Sequence, residues 1–260
     1  MANGERVMAA GVLLLALIGV ATGALRTHRA ALGVSSSPDA AARAAASDSA
    51  LFGLMIATGG ERRRAEIERD FPRLQRKYDD HPAATLLHVA PGLVFVILAP
   101  LQLVRRIRSR FPAVHRWSGR VVLLAGVPIV TTALFLAWFA PHTGMAETVI
   151  ITIVAMLFAG SGFAAFSAIR RRDIPRHREW MIRFLAAGLA ISTVRLASTP
   201  ITLLLPFVSL RDITVVSMAL GWIVTMAVAE WWIRESRSDR ASPGKPANAA
   251  TIGLPGAMNL

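Results

Sequence analysis

Six long apolar runs constrain the fold of this chain more than any other feature of its sequence. They occupy residues 7–25, 83–104, 121–140, 148–169, 180–205 and 213–233. Each run has 19 to 26 residues and at most two formally charged side chains. About 20 apolar residues are enough for a helix to cross the hydrocarbon core of a bilayer. The sequence therefore predicts an all-α integral membrane protein with six transmembrane helices.

The composition and the placement of charge favour the same class. Hydrophobic residues make up 54% of the 260 residues, and the mean hydropathy is +0.49. The absence of cysteine excludes disulfides, thiolate metal sites and cysteine nucleophiles. A net charge of +13 would suit nucleic acid. The arginines, however, cluster in short segments between apolar runs, which is typical of topology signals, and we therefore expect no nucleic-acid binding.

Four segments follow from this pattern. Residues 1–25 predict a first transmembrane helix, with a cleaved signal peptide as the alternative. Residues 26–82 predict an external helical segment, and residues 83–233 a membrane domain of five spans. Residues 234–260 are rich in Pro, Gly, Ala and Asn, which predicts a disordered cytoplasmic tail.

The external segment contains its own helix signals. Ser37, Pro38 and Asp39 indicate a helix start, and the Gly59-Gly60 pair predicts a break before a charged amphipathic helix at 61–78. Two interpretations remain: a cap lying over the helix bundle, or a site for a partner or substrate.

Arginine counts in the short segments predict the orientation. Residues 105–120 and residues 170–183 each contain six arginines, whereas residues 141–147 contain none and residues 206–212 contain only Arg211. Arginine-rich short segments face the cytoplasm. We therefore expect an inner-membrane protein with both termini cytoplasmic, whose basic segments meet the anionic inner leaflet.

The two basic segments contain a repeated element. Phe111–Arg120 reads FPAVHRWSGR and Ile174–Arg183 reads IPRHREWMIR. Each has Pro, then His-Arg, then Trp with Arg three residues later. The spans on either side of each element predict two parallel repeated hairpins that form a four-helix core, flanked by the first and sixth spans.

Polar residues inside two spans are candidate binding groups, because they are costly at membrane depth. In the second span, one helix face contains His88, Gly92, Phe95, Ala99 and Gln102. In the fifth span, another face contains Gly188, Ser192, Arg195 and Thr199. His88 either hydrogen-bonds within the bundle or contacts a ligand. Arg195 either contacts a ligand or extends outward to Asp212 or a lipid phosphate.

Two functional hypotheses use these residues. The first is electron transfer through a b-type haem. Its inner axial ligands would be His115 and His177, its outer ligand His88 with His81 or His142, and Arg120 and Arg183 would lie near the propionates. The second is non-enzymatic binding or transport of a small anion or a lipid head group by Arg195, with Gln102 and His88.

Other chemistry has no signal in the sequence. We find no HExxH motif, no cluster of carboxylates for a hard metal, no phosphate-binding glycine loop and no serine-nucleophile elbow. We therefore predict no metal site, and leave the catalytic residues unassigned and enzymatic activity open. We also expect Arg183 to pair with Glu230, because the two lie at matching depth on neighbouring spans.

Several short motifs together resemble one bacterial family. They are LLHVAPG with His88 and Gly92, the Pro100/Gln102 pair, HRWSGR at 115–120, RHREWMIR at 176–183, and Arg195-Leu196. The chain between about residues 86 and 197 resembles the predicted membrane proteins called domain of unknown function 2306. The resemblance implies a polytopic membrane protein and supplies no activity.

Overall fold

The computed structural model describes residue 11 and residues 49–241, and the regular structure in residues 49–241 consists of helices. These are α1 (Ser49–Asp79), α2 (Pro82–Leu103), α3 (Arg105–Arg110), α4 (Pro112–Phe139), α5 (Met145–Arg170), α6 (Ile174–Leu204) and α7 (Leu210–Ala241). The predicted first span at 7–25 lies outside the described residues, apart from Gly11.

Five of these helices are long and apolar enough to cross a membrane. They are α2, α4, α5, α6 and the Leu210–Ser238 part of α7. Each corresponds to one of the predicted spans two to six, and the all-α fold class is confirmed.

Two boundaries differ from the sequence prediction. The basic segments are not loops along their whole length, because α4 begins at Pro112 and α6 at Ile174. A proline in the first turn of each helix explains both starts, since proline lacks the N–H that a first turn leaves unsatisfied. The predicted disordered tail is also wrong for residues 234–241, which continue α7.

Four helices meet in a layer of three phenyl rings at the centre of the bundle. Phe95 of α2, Phe158 of α5 and Phe184 of α6 have ring centroids 4.4 to 5.6 Å apart. Glycine provides the room: a Cβ on Gly126 of α4 would lie 3.0 Å from Phe184, and one on Gly188 would overlap Phe95. These four helices thus pack around a middle that is filled by side chains.

The last helix flanks this core along α6. The indole Nε1 of Trp222 donates to the carbonyl of Ala187 at 3.0 Å. Gly221 lets the two backbones approach closely, since a Cβ there would lie 2.7 Å from the backbone nitrogen of Val194. Small residues at helix crossings allow this packing in membrane proteins.

The first helix covers one end of the bundle. It bends at Gly60, where φ is +60°, so the predicted break is confirmed. Beyond the bend, Arg63 is 1% exposed and donates to the carbonyls of Leu205, Pro206 and Val208 at 3.0 to 3.3 Å. We call the end covered by α1 the cap end, and the opposite end, with residues 104–120 and 170–183, the rim end.

Candidate functional site

The contact between Phe95 and Gly188 sets the register of α2 against α6. The two helices are antiparallel, so the cap end lies toward lower residue numbers on α2 and toward higher residue numbers on α6. Seven residues before Phe95 on α2 is His88, and seven residues after Gly188 on α6 is Arg195. Seven residues are nearly two helical turns, or about 10 Å, so each residue lies on the same face of its helix as the Phe95–Gly188 contact and at about the same level.

The turn between the phenyl layer and this level contains Gly92 on α2 and Ser192 on α6. A Cβ on Gly92 would meet no heavy atom within 4 Å, whereas the glycines of the phenyl layer are closely packed. Ser192 is 0% exposed, and its Oγ has no hydrogen-bond partner. A buried hydroxyl without a partner is costly, and each such group in a folded protein needs an explanation. We call His88, Gly92, Ser192 and Arg195 the α2–α6 site.

His88 is held by the neighbouring helix. Its Nδ1 lies 3.1 Å from the carbonyl oxygen of Ile129 and 3.1 Å from Oγ1 of Thr132. A carbonyl oxygen can only accept, so Nδ1 carries the proton and the ring orientation is set by α4. The expected hydrogen bond within the bundle is therefore present, and it does not preclude a role for the rest of the ring.

Arg195 is half-buried, and its own carbonyl accepts a hydrogen bond from Ser198 at 3.0 Å. A guanidinium and a hydroxyl together form donors for an oxyanion, and arginine is suited to bidentate binding of carboxylate or phosphate.

The other predicted outer ligands lie apart from this site. His81 precedes α2 and makes an edge contact with the ring of Phe135 at 5.4 Å. His142 lies in the turn before α5, where its backbone N–H donates to Glu147 at 2.8 Å. The register set by Phe95 and Gly188 places neither of these histidines at the level of His88.

The remaining predicted residues lie at the rim end. The amide of Gln102 donates to Ser118 at 2.6 Å and joins α2 to α4, so Gln102 does not share a site with Arg195. Arg183 pairs with Glu230 at 2.5 and 3.0 Å, as expected, and stacks over Trp180 at 4.6 Å. Arg120 stacks over Trp117 at 5.0 Å.

The two rim histidines differ in their surroundings. Nδ1 of His177 lies 2.8 Å from the carbonyl of Ala165, whereas Nδ1 of His115 is buried with no hydrogen-bond partner. His177 and Arg108 are near enough to His115 to interact with it electrostatically. In the part of the chain that the structure describes, no group of three or more His, Asp or Glu side chains is arranged to hold a metal ion.

Sequence reasoning missed the phenyl layer and the ion pairs of the cap. Glycines in the middle of spans four and five, at Gly162 and Gly188, were the available signal for large facing side chains. The Lys77–Glu147 pair joins residues 70 positions apart, and no sequence pattern indicates it.

The fold and these polar groups define a polytopic helical membrane protein with a filled four-helix core and candidate sites toward its two ends. Residues 85–233 match the family described as "Predicted membrane protein (DUF2306)". The match covers more than half of the chain, and the chain belongs to this family. No curated protein and no solved structure matches it.

Proposed function

We propose that this protein binds a small oxyanion, a carboxylate or a phosphate, in the α2–α6 site. The observation that carries the proposal is the fully buried, unpartnered hydroxyl of Ser192, one helical turn from Arg195 on α6. Such a hydroxyl would gain its missing hydrogen bond from the ligand. The anion could be free or the head group of a lipid, because both present the same oxygen atoms.

The phenyl layer favours binding over passage through the four-helix core. Its rings close the space between the α2–α6 site and the rim end, and three glycines already hold them in contact. A ligand that enters the site would therefore leave by the same side. No step of chemistry is required of the site, which supports a non-enzymatic role.

The test is thermal unfolding of the full-length protein in mild detergent with three ligands: inorganic phosphate, acetate and a soluble short-chain phosphatidic acid. We expect at least one to raise Tm, with a lipid-only response identifying the head group as the source. Arg195→Gln should abolish the shift, and Arg176→Gln, which removes an exposed arginine at the rim end, should leave it intact.

The Ser192→Ala variant separates an effect on ligand binding from an effect on stability. Because Oγ of Ser192 has no partner in the fold, its removal should not lower Tm without ligand, yet it should weaken the ligand-induced shift. A wild-type protein that responds to none of the three ligands would contradict the proposal. So would an Arg195→Gln variant with an unchanged response.

A b-type haem at the rim end is a second candidate, favoured by one observation. The Nδ1–H of His177 donates to the carbonyl of Ala165, which is the arrangement of metal-bound histidines and leaves Nε2 to bind iron. His115 would be the second ligand, with Arg120 at the propionates, whereas Arg183 is engaged by Glu230. A bound haem would supply electron transfer.

Reduced-minus-oxidised visible spectra of protein expressed with added haem decide this candidate. A b-type band that disappears in His177→Ala would support it, and a wild-type spectrum without the band would reject it.

For localisation, we propose a bacterial inner-membrane protein whose rim end and both termini face the cytoplasm. The support is the arginine-rich rim. Reporters fused after Arg110 or Arg172 should be active in the cytoplasm, and a reporter at Ser47 should be active outside it. The reverse pattern would refute this orientation.

A further inference from the structure

The first rim segment exposes a dense set of arginines. We define the first rim surface as the exposed side chains of α3 and of the start of α4 with the residue before it: Arg105, Arg106, Arg108, Arg110, Phe111, Val114, Arg116, Trp117 and Arg120. Among the side chains that the structure describes, no carboxylate lies at ion-pair distance from any of its six arginines. These charges therefore face outward without internal neutralisation.

The second rim segment differs, because α7 covers it. Arg183 pairs with Glu230, and Arg237 of α7 pairs with Glu179. Arg178 donates to Ser236 at 3.1 Å. The two segments thus contain equal numbers of arginines, but in the second segment some of the guanidinium groups bind side chains of α7 and hold that helix against α6.

Apolar side chains are interleaved with the charges of the first rim surface. Trp117 is 65% exposed, and Phe111 and Val114 are exposed as well. The guanidinium of Arg120 lies over the Trp117 ring. Tryptophan and arginine side by side at the end of a span are suited to the head-group level, where the ring contacts acyl chains and the charge meets phosphate.

We propose that the first rim surface binds the phosphates of anionic phospholipids. Charge complementarity carries the choice of partner: six arginines without carboxylates meet the lipid phosphates that surround the ends of α2 and α4. The exposed apolar side chains favour a bilayer over a soluble polyanion, because they need an apolar environment at the same level as the charges. This site is independent of the α2–α6 site.

Lipid preference can be measured with the full-length protein in phosphatidylcholine vesicles. Energy transfer from tryptophan to dansyl-labelled phosphatidylglycerol is compared with transfer to dansyl-labelled phosphatidylcholine at low and high salt. The wild-type protein should favour the anionic lipid several-fold, and salt should reduce the preference.

A fourfold variant, R105Q/R106Q/R108Q/R110Q, should lose most of this preference. The matched control is R62Q/R64Q/R69Q/R73Q, which removes the same charge from exposed arginines of α1 at the cap end, and it should retain the preference. R105Q/R106Q, a milder variant, should show a partial loss even where the fourfold variant fails to fold.

Three outcomes overturn the proposal: equal transfer to both lipids in the wild-type protein, an unchanged preference in both rim variants, or an equal loss in the cap-end control. Displacement of the anionic lipid by a short oligonucleotide at equal phosphate concentration would also overturn it in favour of a soluble polyanion. Arg195→Gln should leave the preference unchanged, which separates this result from the test of the α2–α6 site.

Discussion

Charged residues at the cap end and at the rim end of the bundle have different surroundings. At the cap end, Lys77 and Glu147 are 7% and 8% exposed and lie 2.6 Å apart, and Arg63 is buried among three carbonyls. At the rim end, the arginines of α3 are exposed.

The difference shows that burial, and not charge density, decides what a charge does in this protein. A buried charge must be paired, so the ion pairs and hydrogen bonds of the cap-end groups hold α1 on the bundle. An exposed charge interacts weakly with its own chain, which leaves the rim arginines available for topology and for lipid.

Removing a buried ion pair at the cap end should have the largest effect on the free energy of unfolding. Lys77→Met leaves the carboxylate of Glu147 buried without its cation and should lower the free energy of unfolding by about 3 kcal/mol, the lower end for a broken buried pair. The lower end applies because Glu147 keeps hydrogen bonds from the backbone N–H groups of His142 and Thr143. Denaturant unfolding in mild detergent measures the change.

Arg69→Gln is the matched control on the same helix. Arg69 pairs with Asp70 at 2.8 Å, but its side chain is largely exposed, and exposed pairs contribute about 0–1 kcal/mol. Equal losses in Lys77→Met and Arg69→Gln would mean that burial does not distinguish the two pairs.

The layer between the two ends predicts a contrast between two glycines. Gly188→Ala forces a methyl group into Phe95 and should cost about 1–3 kcal/mol, the usual range for overpacking. Gly92→Ala meets no atom within 4 Å and should stabilise the helix by about 0.5–1 kcal/mol. Thermal unfolding of both variants checks this, and a destabilised Gly92→Ala would show that the space beside Gly92 is filled.

At the rim end, the prediction contrasts two stacked arginines. Arg183→Gln removes the partner of Glu230 in a partly buried pair, for which we expect a loss of about 1–2 kcal/mol, below the value for a fully buried pair. Arg120→Gln removes a cation over an exposed ring and should cost below about 1 kcal/mol. The same unfolding assay compares the two variants. An Arg120→Gln loss as large as that of Arg183→Gln would mean that arginines of the two rim segments stabilise the fold equally.

The smallest expected effect is a pH dependence at the cap end. Burial lowers the pKa of His142, with Lys77 and Arg211 acting in the same direction and Glu147 and Asp70 against them. A histidine with a lowered folded pKa is stabilising when neutral. Its contribution is therefore complete above the unfolded pKa of about 6.5 and is lost as the pH falls from there through the folded pKa.

Hydrogen exchange of residues 61–79 across this pH range measures the effect on α1. His142→Gln, which cannot titrate, should flatten the dependence. A protection profile that falls equally with pH in both proteins would assign the effect to other groups.

Much of the architecture could be predicted because it depends on local properties. A run of apolar residues long enough for the bilayer specifies a helix wherever it occurs, so spans two to six were placed to within a few residues except where helices continued through basic segments. Those continuations were missed at Pro112 and Ile174 because arginine density indicates position relative to the membrane and not backbone conformation. The Arg183–Glu230 pair was predictable from depth alone.

The sequence by itself determined the helices, the family and the candidate polar residues. Only the tertiary structure decided which of those residues act together. The Phe95–Gly188 contact brings His88 and Arg195 to one level, with the unpartnered Ser192 beneath them, and places Gln102 elsewhere. The physical reason is that helix periodicity indicates which residues share a face, whereas the rotation of one helix against another depends on close packing between distant residues.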